Sequence, residues 1–289
     1  MRFMLIFIVL LSFYPEHTPA EEKKEVEIKN ILLQKEEILH YNLLYVDLAF
    51  IDETKINELM DSLHQQIATA AIDATYDESF KIIEGKQGSA LDRHEFKQRF
   101  LEVFYGEGDI QLEVPTKNVE PRVDKALLEE ISQKKLGSYT THYNQGNKER
   151  TKNIILSTEA INGTVIFPGD TFSFNKIVGE RTKERGYQRA PVIVRGEFSE
   201  DIGGGICQVS STLFNAVDQE GIQMVERYTH SRSVPYVPPG KDATVSWWGP
   251  DFSFKNLFNE PIVIRAKASN GNVMVEILST ETAENFRAN

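Results

Sequence analysis

Apolar spacing in the first half of the chain predicts a small α+β module. Between residues 51 and 66 the apolar side chains recur every three or four positions, which is typical of an amphipathic helix. A second helix is predicted to open at Asp92, where an aromatic stripe follows a capping residue. Strand-like segments at 73–83 and 110–114 lie before and after it. We therefore expect residues 51–121 to form one α+β module.

In the second half of the chain, predicted strands outnumber predicted helices. Residues 122–135 predict a linker helix, and residues 136–280 predict a mixed α+β domain, followed by a tail at 281–289. Helices are expected at 150–161 and directly after the glycine run 203–205. Strands are expected at 164–167, 190–194, 223–228, 243–248, 261–268 and 273–278, the last two joined by a hairpin turn at Asn270-Gly271. The predicted class is α+β, with a cysteine-bearing helix against antiparallel strands.

The first twenty residues have the features of an export signal. Arg2 gives a positive start, residues 3–14 are almost entirely apolar, and Thr18-Pro19-Ala20 offers a small-residue cleavage site. Because a membrane-spanning helix needs about 20 apolar residues, cleavage is expected rather than anchoring. An uncleaved N-terminal anchor is the alternative. Residues 21–50 then form a lead segment, and the protein is expected outside the cytoplasm, either secreted or associated with the cell wall.

The charge balance narrows the classes of partner. The chain carries 32 Lys and Arg against 43 Asp and Glu, a formal net charge of −11. Since nucleic acid is bound by basic surfaces, no nucleic-acid partner is expected. The His and Cys residues lack the spacing of a metal motif, so neither a metal nor another cofactor is expected. A glycosidase pair of carboxylates stays open as an alternative, although nothing singles out two residues.

Cys207 is the only cysteine in the chain, and its position indicates chemistry. A single cysteine excludes an intramolecular disulfide. At the start of a helix, free amide groups and the helix dipole favour the thiolate, which is the nucleophilic form. A thiol enzyme also needs a base and a group that orients the base, and His230 and Asp242 are the candidates. The predicted catalytic set is therefore Cys207 as nucleophile, His230 as base and Asp242 as orienting carboxylate.

Three further residues are predicted to stabilise an oxyanion or to position substrate: Gln208, Gly205 and Asp251. Simpler roles compete with these. Cys207 is alternatively a packed structural thiol, or a thiol with a redox or intermolecular-pairing role. Gln208 is alternatively a hydrogen-bonding turn residue, and Asp242 a turn residue. Aromatic residues close to Asp251 either stack on a sugar or pack against other side chains, namely Trp247, Trp248 and Phe252.

A series of short motifs resembles the VanW family over residues 136–278. The motifs are Arg150 with Asn153, Pro168 to Asn175, Gly179, Gly186-Tyr187, Gly203 to Ala216, Glu226-Arg227, His230-Ser231, Val234 to Tyr236, Gly240, Asp242 to Val245, Asp251 and Asn256. Residues 51–121 are similar to a peptidoglycan-binding type of domain that often precedes VanW domains. The order Cys, His, Asp is also similar to that of transglutaminase-like cysteine hydrolases.

The resemblance implies an exported cell-envelope protein that acts at peptidoglycan or its precursors. Together with the candidate residues, it predicts a Cys-His-Asp thiol hydrolase or acyl transferase that works on wall peptides. The alternative is a noncatalytic protein of the cell wall that binds peptidoglycan or its precursors, or assists assembly. The two classes differ in whether Cys207 must be a reactive thiolate.

Overall fold

The computed structural model describes four stretches of the chain, residues 31–33, 51–106, 111–194 and 197–285. The predicted signal peptide, most of the predicted lead segment and the last four residues of the tail lie outside the described residues. In the described part of the chain, no helix combines the length and the apolar composition needed to cross a membrane. Contacts divide the chain into a first unit, Met1–Asp61 with Arg93–Pro115, and a second unit, Ser62–Asp92 with Thr116–Asn289.

The described residues alternate between short strands and helices, as an α+β protein does. The helices are α1 (Glu53–Ile67), α2 (Arg93–Tyr105), α3 (Lys125–Glu130), α4 (Lys148–Ile161), α5 (Phe174–Val178) and α6 (Ile206–Val217). The strands are β1 (Leu32–Leu33), β2 (Thr75–Tyr76), β3 (Ile82–Ile83), β4 (Gly88–Leu91), β5 (Leu112–Glu113), β6 (Thr116–Val119), β7 (Lys134–His142), β8 (Val165–Ile166), β9 (Thr171–Ser173), β10 (Arg189–Val194), β11 (Glu197–Ile202), β12 (Ile222–Glu226), β13 (Ser253–Asn256), β14 (Ile262–Ser269) and β15 (Asn272–Ser279). The predicted α+β class is confirmed.

The first unit is organised by the aromatic stripe of α2. Phe96 and Phe100 are fully buried, and their ring centroids lie 5.9 Å apart. On the solvent side, Lys97 donates to the carboxylate of Glu53 at 2.8 Å, which links α2 to the start of α1. Strands β1 and β5 of the same unit pair antiparallel. The helix predicted to follow Asp92 is confirmed.

A four-stranded antiparallel sheet, in the order β7-β15-β14-β8, forms the centre of the second unit. Helix α4 packs on β14, and helix α6 packs on β7 and β15. Alternate residues of β14 explain the two-sided burial, because successive side chains of a strand point to opposite faces. Ile262, Ile264 and Ala266 join the core beneath the helices. Val263 joins the cluster on the opposite face.

The opposite face of this sheet is covered by α3 and by the segment around β2. Leu128 and Ile131 at α3 are fully buried there, together with Ala74 and Tyr76. The Asp124 side chain caps α3 by accepting the N–H of Leu127 at 2.7 Å. Residues 62–92 thus pack as part of the second unit. The sequence-based boundaries at 51–121, 122–135 and 136–280 stay predictions.

One predicted strand is wrong. Residues 243–248 adopt no regular secondary structure. The backbone of Ala243 and Val245 bonds to side chains of helix α6, and the N–H of Thr244 donates to the Tyr228 carbonyl. The N–H of Ala243 donates to Ser211 Oγ at 2.9 Å, and the Ala243 carbonyl accepts from Ser210 Oγ at 2.6 Å. Strands β12, β13 and β9 form a separate three-stranded sheet, and β10 pairs with β11 as a hairpin. The segment that reads as a strand therefore becomes a wall beside the cysteine.

Candidate functional site

The glycine run before α6 sets the position of Cys207. Gly205 has a φ of 109°, a left-handed conformation that glycine tolerates best. A Cβ added to it would lie 2.9 Å from Cγ of Arg150, and one added to Gly204 would lie 2.5 Å from the carbonyl oxygen of Ala190. The turn therefore packs more closely than any side chain allows. Helix α6 starts at once, with Cys207 as its second residue.

The Cys207 thiol lies between the helix and the irregular segment that follows the histidine. Its Sγ is 3.4 Å from the carbonyl oxygen of Val245, to which the thiol donates, and 3.8 Å from Oγ1 of Thr244. Cys207 is partly exposed, whereas Val209 and Leu213 on α6 are fully buried in the core. The thiol is accessible from a cleft.

His230 and Asp242 form a buried pair beside this thiol. Oδ2 of Asp242 accepts from both the backbone N–H and Nδ1 of His230, each at 2.6 Å. The two side chains are only 6% and 8% exposed. Arg227 Nε donates to the Asp242 carbonyl at 2.9 Å and so anchors the carboxylate-bearing residue. With Nδ1 engaged, the other ring nitrogen, Nε2, is the one left for the thiol.

The pKa values show how the three groups interact. Burial raises the pKa of the Cys207 thiol, but the hydrogen bond and the charge of His230 outweigh it and hold the pKa below its ordinary value. Burial lowers the pKa of His230, but Cys207 and Asp242 raise it above its ordinary value. The bonds from His230 likewise hold the pKa of Asp242 below the usual range despite burial. Cys207 and His230 thus each shift the pKa of the other toward its charged form.

Gln208 is engaged in structure on every side. Nε2 donates to Oγ1 of Thr141 at 3.0 Å and to the carbonyl of His142 at 2.9 Å, while Oε1 accepts from Arg150 at 2.8 Å. Its backbone N–H donates to the Gly205 carbonyl at 3.0 Å. No donor of Gln208 is thus left for a reacting oxygen. In the described part of the chain we find no acceptor for the N–H of Cys207 itself.

Asp251 lies near the cleft but organises a turn. Its Oδ1 accepts the N–H groups of Asn175 and Phe252 at 2.8 and 2.7 Å, and its Oδ2 accepts from Ser173 Oγ at 2.5 Å. The N–H of Asp251 donates to Glu226 at 3.1 Å. A carboxylate accepts hydrogen bonds, and the donors to Asp251 all belong to neighbouring elements of the fold.

A cleft of about 1280 Å³ gives access to Cys207 and His230. Trp247 and Trp248 line it, and Trp248 is 89% exposed. Two arginines that sequence reasoning gave no role, Arg150 and Arg181, line it as well. The position of Arg150 among the family-like motifs was the one available signal for it. No pattern in the sequence indicated Arg181, because its place at the cleft depends on its packing against the glycine turn.

These features define a class of protein, an α+β protein whose second unit holds a cysteine at a helix start beside a histidine–aspartate pair. The chain belongs to the VanW family. The family model described as "VanW like protein" matches residues 149–278. A model described as "Putative peptidoglycan binding domain" matches residues 20–111, in the order that the motifs predicted. The predicted resemblance is confirmed, and the two matches associate the chain with the cell wall and the cell envelope.

Two relatives show how far the likeness extends. The chain is 50% identical over 231 residues to the uncharacterized protein YoaR of Bacillus subtilis (strain 168), covering 80% of this chain and 76% of that protein. It is 30% identical over 109 residues to the vancomycin B-type resistance protein VanW of Enterococcus faecalis (strain ATCC 700802 / V583), covering 36% and 40%. No solved structure matches the chain.

Proposed function

We propose that this protein is an exported thiol enzyme of the cell envelope that cleaves or transfers an acyl group of wall peptides. The observation that carries the proposal is the hydrogen bond between His230 and Asp242 beside the Cys207 thiol, at a cleft that Cys207 and His230 both line. A nucleophile, a base and a group that orients the base are what covalent acyl transfer requires. The apolar start of the chain supports export.

In the acylation step, the Cys207 thiolate attacks the carbonyl carbon of a peptide amide. The carbon–sulfur bond forms, and the carbonyl oxygen becomes an oxyanion. The N–H of Cys207, for which no acceptor is found among the described residues, is the donor that would stabilise it. When the intermediate collapses, the carbon–nitrogen bond breaks. The leaving amine takes a proton from the imidazolium of His230, which leaves a thioester on Cys207 and a neutral histidine.

In the deacylation step, neutral His230 accepts a proton from water or from an acceptor amine, which attacks the thioester. The carbon–sulfur bond then breaks, and Cys207 returns to the thiolate beside an imidazolium. Water gives hydrolysis, and an amine gives transfer. Asp242 keeps Nδ1 of His230 protonated and oriented through both steps, because its Oδ2 accepts from that nitrogen.

The competing function is a noncatalytic wall-binding protein, and one observation favours it. Trp247 and Trp248 lie at the cleft with 37% and 89% of their surface exposed, alongside the half-exposed Tyr228. Exposed aromatic faces of this kind stack on sugar rings. A binding protein would use this surface without any demand on Cys207. The two functions therefore make opposite statements about the thiol.

Intact-mass spectrometry with soluble peptidoglycan fragments separates the two functions. The protein is mixed with the fragments, quenched in acid and weighed, with Cys207→Ala as the matched control. The enzyme predicts a mass increment on the protein that is absent from the variant, together with a cleaved or exchanged peptide. Equal fragment binding by both proteins, with no increment and no product, would favour the binding protein and reject the enzyme.

A further inference from the structure

Two arginines flank the glycine turn that precedes Cys207. A Cβ added to Gly205 would lie 2.9 Å from Cγ of Arg150, and one added to Gly203 would lie 3.2 Å from Cβ and Cγ of Arg181. Both arginine stems thus run against the glycine backbone, and both side chains line the cleft that holds Cys207. The glycines let two guanidinium groups approach the start of helix α6, where the helix dipole also favours an anion.

The hydrogen bonds of these arginines leave donors unused. Arg150 Nη2 donates to Oε1 of Gln208 at 2.8 Å, and Arg181 Nη2 donates to Oδ1 of Asn175 at 2.7 Å. Both acceptors are neutral amides. In the described part of the chain, neither guanidinium forms an ion pair with a carboxylate. Arg181 Nη1 is buried and lacks a hydrogen-bond partner among the described residues. A buried unsatisfied donor costs free energy unless a ligand satisfies it.

Acidic residues at the cleft do not neutralise the pair. Glu180, Asp201 and Glu226 line it. Glu180 and Asp201 are exposed, and Glu226 accepts the N–H of Asp251. Burial lowers the pKa of both arginines, while the charge on Cys207 acts in the opposite direction. The thiolate therefore offsets part of the positive charge, and two cations in an otherwise acidic chain remain directed at one cleft.

We propose that Arg150 and Arg181 form a subsite for a carboxylate of the peptide that Cys207 attacks. The inference rests on the proposed function. Guanidinium groups bind carboxylates through paired, charge-assisted hydrogen bonds. In a peptide, the C-terminal carboxylate is one Cα away from the nitrogen of the last amide. A subsite beside the nucleophile therefore selects peptides with a free C-terminal carboxylate, and the amine that leaves is the terminal amino acid.

Two alkylating agents test the subsite without any substrate. Iodoacetate carries a carboxylate, iodoacetamide carries a neutral amide, and both react with the single thiol of the chain. The ratio of the iodoacetate rate to the iodoacetamide rate is compared with the ratio for free N-acetylcysteine at the same pH. We expect the protein to favour iodoacetate by about tenfold more than the free thiol does, which is the factor that one charge-assisted hydrogen bond supplies.

Variants connect the preference to the arginines. Arg181→Gln should bring the ratio close to that of the free thiol, and Arg181→Lys, which keeps the charge and loses the fork, should give an intermediate ratio. Arg185→Gln removes the same charge four residues away at a position that does not line the cleft, and should leave the ratio unchanged. The iodoacetamide rate of each variant shows whether the thiolate itself is intact.

A binding experiment keeps this inference separable from the proposed function. Both tryptophans of the chain lie at the cleft, so intrinsic fluorescence reports on its occupancy. We expect acetyl-alanyl-alanine to change the fluorescence and to protect Cys207 from iodoacetamide, whereas its C-terminal amide does neither. If the dipeptide binds by fluorescence but Cys207 is alkylated slowly, the result would reject the enzyme and support the subsite. A fast thiol with no anion preference would reject the subsite and support the enzyme. If inorganic phosphate changes the fluorescence and protects Cys207 as well as the dipeptide does, the site is not specific for a peptide carboxylate and the inference is overturned.

Discussion

Two aspartates nine residues apart, Asp242 and Asp251, have contrasting surroundings. Both accept at least two short hydrogen bonds. Those of Asp251 come from the backbone of Asn175 and Phe252 and from Ser173, so its carboxylate holds a turn together. Those of Asp242 come from one residue, His230, whose ring interacts with Cys207. The hydrogen-bond partners of a carboxylate, and not its proximity to a cleft, therefore indicate what it does.

Replacing His230, which lies between Asp242 and the thiol, should give the largest effect on the reactivity of Cys207. In His230→Ala the Cys207 thiol loses the hydrogen bond and the charge of His230 that lower its pKa, so its pKa should rise and less thiolate should be present at about pH 6. We expect the iodoacetamide rate at about pH 6 to fall about 100-fold. The matched control is His142→Ala, an exposed histidine on β7 bonded to Asn272, which should react like the wild type. Equal rates in both variants would show that His230 does not affect the reactivity of the thiol.

Removing the other aspartate should affect stability and leave reactivity alone. Asp251→Ala leaves the N–H groups of Asn175 and Phe252 without their acceptor, and we expect a loss of about 3 kcal/mol in the free energy of unfolding. Denaturant titration followed by fluorescence measures it. Asp218→Ala, which breaks a half-exposed pair with Lys241, is the control and should cost less than about 1 kcal/mol. A stable Asp251→Ala protein with a slow thiol would reverse the two roles.

A smaller effect on the thiol is expected from Asp242→Asn. The charge of Asp242 helps to raise the pKa of His230, so its loss lowers that pKa and weakens the imidazolium that stabilises the thiolate. The iodoacetamide rate of the variant should therefore be about tenfold lower at about pH 6. It should converge on the wild-type rate above about pH 9. The pH dependence of the iodoacetamide rate checks it. A rate profile that overlays the wild type would mean that Asp242 only holds the backbone of His230.

The smallest effect is expected at the mouth of the cleft. Trp248→Ala removes a side chain that is 89% exposed, so the free energy of unfolding should change by less than about 0.5 kcal/mol. The thiolate reactivity should also match the wild type. Binding of peptidoglycan fragments, measured by calorimetry, should weaken if sugar rings stack there. A large loss of stability would show that Trp248 packs against the protein and is no docking surface.

Local signals in the sequence predicted much of the second unit. The hairpin at Asn270-Gly271 is confirmed, because both residues have positive φ, as a tight type I′ turn requires. The predicted helix after the three glycines is present as α6, and Gly205 before it has the left-handed conformation that glycine permits. Strand β11 was missed, since the acidic run 197–202 has no strand-like alternation and forms a strand only by pairing with β10.

The candidate site shows where sequence reasoning stops. Helix periodicity and residue type singled out Cys207, His230 and Asp242, and the structure brings these three together. It engages Gln208 and Asp251 elsewhere, because their bonds depend on β7, α5 and β9, which are far away in sequence. The failed strand at 243–248 has the same cause. The backbone of Ala243 in this segment bonds to serines of α6, an outcome that no local pattern encodes.

Titration of the thiol itself shows whether Cys207 is a thiolate that His230 stabilises. Because Cys207 is the only cysteine, the ultraviolet absorbance of the thiolate can be followed against pH with Cys207→Ala as the blank. We expect a midpoint below the reference thiol pKa of about 8.5, which moves upward in His230→Ala. A midpoint at or above about 8.5 that is unchanged in the histidine variant would contradict it.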